Sequence, residues 1–272
     1  MSKFNMSTST NINLVRQQLE SRFESLPSFS PQTNFVPLMK EIINGIKTIH
    51  SVNSFISSIT LLRRINKYEK KLFILLFETS FVDLKKAFKN ENNFITISLL
   101  TLTYEMCAHS NNIGLLHDYL SFIIKKVIKI IAKYNQIKDE IFNLSKAIMQ
   151  IILIQFIPHN VFEILLDLMK NKNKNVMLKS AEYIFELLNI IDKKALKDDI
   201  HWGNMFTLLS ELIVNNNEEI AKKFYFGAKA FFSQTEWEED ILCQAAIQEL
   251  SALVFIDKID IKKLAKKNLL IA

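Results

Sequence analysis

The stretch Val176-Met177-Leu178-Lys179-Ser180-Ala181-Glu182-Tyr183-Ile184-Phe185-Glu186-Leu187-Leu188-Asn189-Ile190-Ile191 decides the fold. Met177, Ala181, Ile184, Leu188 and Ile191 recur at alternating steps of four and three, which puts them on one face of an α-helix. Ala221, Phe224, Ala228 and Phe231 repeat the pattern, after Asn217 and the acids Glu218 and Glu219. An Asn cap followed by acids in the first turn satisfies free N–H groups and complements the helix dipole, so it marks a helix start.

Working outward, the same periodicity runs along most of the chain. It predicts helices over 35–49, 52–66, 70–88, 93–109, 114–134, 138–157, 159–170, 175–191, 203–214, 217–232 and 236–256. A shorter amphipathic stretch, 12–26, precedes Pro27, and 28–34 reads as a linker around Pro31. Residues 1–11 read as a disordered leader. The reading by segment is a leader with one short helix and linker over 1–34, a solenoid over 35–257, and a basic tail helix within 258–272. Four glycines and four prolines in 272 residues argue against sandwiches, barrels and doubly wound sheets, whose tight turns draw on both.

The helices also pair. Openings near Phe35, Lys70, Gly114, His159 and Gly203 recur roughly every 35 to 45 residues, the period of HEAT and armadillo helix pairs. The expected fold is therefore all-α, a solenoid of about five to six such pairs. Stacking neighbours would sandwich helices that are apolar nearly all round, such as 141–157. The links within pairs are rich in Asn and Lys: Lys89-Asn90-Glu91-Asn92, Asn135-Gln136-Ile137-Lys138, Asn171-Lys172-Asn173-Lys174-Asn175 and Asn215-Asn216-Asn217. In a stacked solenoid these corners form one polar ridge, with Lys133 within a turn of it.

A net charge of +6, from 34 basic and 28 acidic residues, is a mild bias towards acidic partners. The polar start, Met1 to Thr10, lacks the apolar run of a signal peptide. The longest apolar stretch, 147–162, is too short and interrupted to span a bilayer. Cys107 and Cys243 read as buried free thiols in a reducing compartment. A soluble, intracellular protein is expected.

No catalytic pattern is present. The scattered glycines make neither a Walker loop nor a dinucleotide fingerprint. Cys107, His109 and His117 lack metal-ligand spacing, and the acidic pairs Asp139-Glu140, Asp198-Asp199 and Glu238-Glu239 sit at links or helix starts. Trp202 and Trp237 read as packing residues. An enzyme, a cofactor, a metal and a small-molecule substrate are not expected. Nucleic acid or a membrane surface has only the tail lysines, Lys258, Lys262, Lys263, Lys266 and Lys267, to recommend it.

Two segments carry a family resemblance. Residues 173–188, Asn-Lys-Asn-Val-Met-Leu-Lys-Ser-Ala-Glu-Tyr-Ile-Phe-Glu-Leu-Leu, and 217–232, Asn-Glu-Glu-Ile-Ala-Lys-Lys-Phe-Tyr-Phe-Gly-Ala-Lys-Ala-Phe-Phe, each start after a polar link and pass through basic positions into an aromatic, apolar face. This resembles the second half of a TOG domain of the CLASP (cytoplasmic-linker-associated protein) type; a weaker likeness extends over 35–255. The resemblance implies a tubulin-binding paddle docking through its ridge of intra-repeat links. Carried over by position, the tubulin-binding candidates are Lys89, Lys138, Lys172, Lys174, Lys179, Lys222 and Lys223. It further implies a cytoplasmic, cytoskeletal location at microtubule, spindle or cilium. One departure stands out: many TOG domains place a Trp in the first link, and His50-Ser51-Val52-Asn53-Ser54-Phe55 has none. Phe55, in helical step with Ile59 and Leu62, reads as core. The alternative is a HEAT-repeat adaptor, or part of a larger assembly, holding a non-tubulin protein.

Overall fold

The computed structural model describes residues 6–109, 119–134 and 139–190. Among them every regular element is an α-helix. The helices are α1 Met6–Glu24, α2 Phe35–Lys47, α3 Val52–Tyr68, α4 Lys70–Ala87, α5 Asn93–Ala108, α6 Leu120–Lys133, α7 Glu140–Gln155, α8 Pro158–Met169 and α9 Lys174–Ile190. The helices expected over 203–214, 217–232, 236–256 and in the tail lie outside the described residues, as does Cys243. The chain divides into two compact units, Met1–Gln155 and Phe156–Ala272. The all-helical architecture is consistent with an α-solenoid.

In the first unit, α2 packs on α3 and α6 on α7, while α3 also packs on α5, and α5 on α7. Each hairpin leaves an apolar face uncovered that the next helix closes, which is how a row of helices shares one core. The centre of that row is α5, where every residue from Leu99 to Cys107 is buried. The nearly all-apolar α7 is likewise enclosed, with Ile141, Leu144, Ile148 and Ile152 all buried. Between α2 and α3 the helices approach so closely that a Cβ on Gly45 would lie 1.9 Å from Ser58 Oγ. A side chain there would require Ser58 to move.

The N-terminal segment departs from expectation. Its helix starts at Met6 rather than Ile12, although Ser, Thr and Asn at 7–11 are poor helix formers. The rest of α1 is docked, and once a helix is nucleated each added turn costs little. Ile12, Leu19 and Phe23 are buried, and α1 lies against α5 and α7. Its C-terminal end is held by α3. Lys67 Nζ donates to the carbonyls of Phe23 (3.0 Å) and Glu24 (2.6 Å), and Tyr68 Oη donates to that of Leu26. Arg64 donates to the carbonyls of Pro27 (3.1 Å) and Ser28 (3.0 Å). Carbonyls left free at a helix end and in the chain beyond it thus find cationic donors.

In the second unit, α8 opens with Pro158 in its first turn, where a missing N–H costs nothing. The four-residue link to α9 makes the two helices antiparallel neighbours. Met177, Ala181 and Ile184 are buried as the periodicity requires, and Val176, Ser180, Tyr183 and Leu187 widen the buried face. Ile191 lies outside the described residues.

Candidate interaction surface

The links explain their own asparagines. After α4, Asn90 Oδ1 accepts from Asn92 N–H (2.9 Å), and Asn92 Oδ1 caps α5 by accepting from Phe94 N–H (2.9 Å) and Ile95 N–H (3.3 Å). After α8 the same bonds recur: Asn171 Oδ1 accepts from Asn173 N–H (2.9 Å), and Asn173 Oδ1 from Asn175 (2.9 Å) and Val176 (3.3 Å). The backbone agrees, Lys89 N–H donating to Lys86 and Lys170 N–H to Asp167. An Asn-x-Asn pair is therefore a structural device, an Asx turn running into an N-cap. The two corners correspond bond for bond, with Lys170 at the position of Lys89 and Lys172 at that of Glu91.

This correspondence re-sorts the candidate lysines. Lys89, Lys172 and Lys174 are exposed at the links, as is Lys170, which sequence reading missed because it ends a helix rather than opening the next. Lys179 is partly covered and paired with Glu182 at 2.7 Å, so its charge is already answered. Lys138, Lys222 and Lys223 lie outside the described residues. Phe55 is fully buried.

In the first unit Lys89 joins a second group. Lys126, Lys129 and Lys133 stand on α6 at steps of three and four, hence on one face. Lys126 is half-buried; burial lowers its affinity for a proton, and the charges of Lys129, Lys133 and Lys89 lower it further. Among the described residues no carboxylate pairs with any of these four. Some lysines of other elements are paired, Lys86 with Asp83 at 2.9 Å and Lys67 with Glu24 at 3.6 Å.

An aromatic seam lies below the lysines. Phe81 meets Tyr119 (3.9 Å) and Phe122 (5.7 Å), and Phe88 meets Phe122 (5.7 Å), fastening α4 to α6. Lys85 Nζ sits 4.3 Å over Phe81 and 5.2 Å from Phe122. The apolar gap behind these rings measures about 20 Å³. That is room for about one water and for no substrate.

Cys107 is a fully buried free thiol, pushed up to about 12 by burial. Among the described residues, no group of three His, Cys, Asp or Glu is placed to hold a metal, and no helix is long and apolar enough to cross a membrane. No family model matches the chain, and no curated protein does.

Proposed function

We propose that the chain is a non-catalytic binding protein of the cytoskeleton, a TOG-like stack of HEAT-type helix pairs that docks on tubulin or microtubules through its link lysines. The observation that carries this reading is the matched construction of the two corners. In each, asparagines absorb the backbone donors and lysines are left in solvent, in no ion pair with a carboxylate among the described residues, although the first corner also exposes Glu91. Such a surface complements an acidic protein and supplies no nucleophile, base or cavity for turnover. Co-pelleting with microtubules and size exclusion with free tubulin test it, comparing wild type with Lys89→Glu/Lys174→Glu. Binding that is lost on charge reversal supports the reading; no binding by wild type in either assay removes it.

A second reading is a HEAT-repeat adaptor for a non-tubulin protein. It is favoured by the first link, which offers no Trp and whose Phe55 is committed to the core. Aromatic anchors carry a large share of interface energy, so a TOG-like docking without one would lean on charge alone.

A further inference from the structure

Lys126, Lys129 and Lys133 of α6 make no ion pair with a carboxylate among the described residues. Over Leu120–Lys133 the helix contains no Asp or Glu; Lys129 and Lys133 are exposed and Lys126 half-buried, while Ile123, Ile124, Val127, Ile128 and Ile131 fill the core. Like charges three and four residues apart each cost a helix roughly 0.2–0.5 kcal/mol, and Lys89 adds to the repulsion from the neighbouring corner. An anion laid along this face would relieve it. At the same end of the α4–α5 hairpin as Lys89 stands Phe94, on the first turn of α5. Its side chain is 68% exposed, the highest value among the large apolar residues described.

We infer that the outer face of α6, with Lys89 and Phe94, is a docking strip for an acidic, extended polypeptide segment carrying one large apolar side chain. The inference deepens the proposed function and rests on its premise that the partner is a protein. Lys126 to Lys133 spans roughly 10 Å of helix, a length that about three residues of extended chain cover. A short run of Glu or Asp therefore reaches Lys126, Lys129 and Lys133. The strip uses lysines throughout, whose flexible point charges suit scattered carboxylates; the planar forks that read phosphates in pairs belong to arginine. One exposed ring is an anchor for one apolar residue, whereas single-stranded nucleic acid calls for a series of stacking rings.

The test is fluorescence anisotropy with a labelled Glu/Asp-rich peptide bearing a central Leu, and with the same peptide bearing Ser there. The full chain should bind the Leu peptide, and raising the salt from about 0.05 M to about 0.3 M should weaken it. Lys126→Glu/Lys133→Glu should weaken binding roughly tenfold or more, and the milder Lys126→Gln/Lys129→Gln by less. Both variants should melt no lower than wild type by circular dichroism, since each removes like-charge repulsion. Phe94→Ser should weaken the Leu peptide and leave the Ser peptide unchanged. A blank with wild type, binding indifferent to the charge reversals in folded protein, or tighter binding of oligouridylate RNA or of phosphatidylserine vesicles would each overturn the inference. Tubulin binding without peptide binding sinks the strip alone. Peptide binding without tubulin binding keeps the strip and removes tubulin as the partner.

Discussion

Two seams of the first unit are built on opposite principles. Where α5 meets α1 and α3, the contacts are polar. Arg63 donates from Nε to both carboxylate oxygens of Glu105 (2.9 Å each), Tyr104 Oη donates to Glu20 (2.8 Å), and His109 stacks on Phe23 (4.0 Å). Where α4 meets α6, the contacts are rings. Buried Phe73 and Phe77 continue into Phe81, Tyr119 and Phe122 at centroid spacings from 3.9 to 5.7 Å. Aromatic packing is non-directional in most of its energy and tolerates small shifts. A buried ion pair tolerates none, because a misplaced partner leaves a charge in a dry interior. The polar seam therefore fixes which face of α5 meets α3 and α1, and the aromatic seam supplies cohesion.

The largest effect should come from breaking the polar seam on one side. Arg63→Ala leaves the fully buried Glu105 without its cation and should cost about 3–5 kcal/mol. Burial already raises the carboxyl of Glu105 above its ordinary value, against the pull of Arg63. Without Arg63 it rises further, so between the unfolded and folded values the native state holds the extra proton and stability falls as pH rises. Denaturant melts should show a smaller deficit for Arg63→Ala at pH 5 than at pH 8. A deficit that grows on acidification would reverse that account.

Next in size is the aromatic seam. Phe77→Ala removes the ring that touches Phe73, Phe81 and Tyr119, and should cost about 3–5 kcal/mol, with no marked pH dependence of its own. A loss that tracked pH as Arg63→Ala does would erase the distinction between the seams. Tyr104→Phe deletes one bond to Glu20 and keeps the buried ring, so urea denaturation should give a loss of about 1–2 kcal/mol. The smallest change is expected from Arg63→Met/Glu105→Leu, which replaces the pair by apolar atoms. It should stay within about 1 kcal/mol of wild type or exceed it. If the double variant were as unstable as Arg63→Ala, packing rather than stranded charge would explain the single loss.

Much of the fold was legible because its signals are local. Among the described residues, most helix ends between Phe35 and Ile190 fall within a few residues of expectation, since spacing at three and four and the Asn caps act within one turn. Phe55 was read as core from its step with Ile59 and Leu62. The candidate surface was legible only in part. Lys89, Lys172 and Lys174 stand out in polar links, but the same composition hid that Asn90, Asn92, Asn171 and Asn173 are capping devices. Lys179 reads as a free lysine in the sequence, and only the structure shows it paired with Glu182. Nothing within the sequence of α6 shows that Lys89 stands near Lys126, so that grouping is visible only in the structure.

Among the described residues, the amino-acid sequence by itself determined the all-helical character, where most helices start and stop, and which stripe of each turns inward. These follow from backbone hydrogen bonding and side-chain spacing within a few residues. Tertiary structure decided the rest: that α1 begins early and docks across α5 and α7, that Arg63 finds Glu105, that Phe94 stays in solvent while Ile95 beside it is buried, and that lysines from separate elements gather unanswered. Each depends on residues tens of positions apart being brought together, and partners at that range are chosen by the packing of whole helix faces.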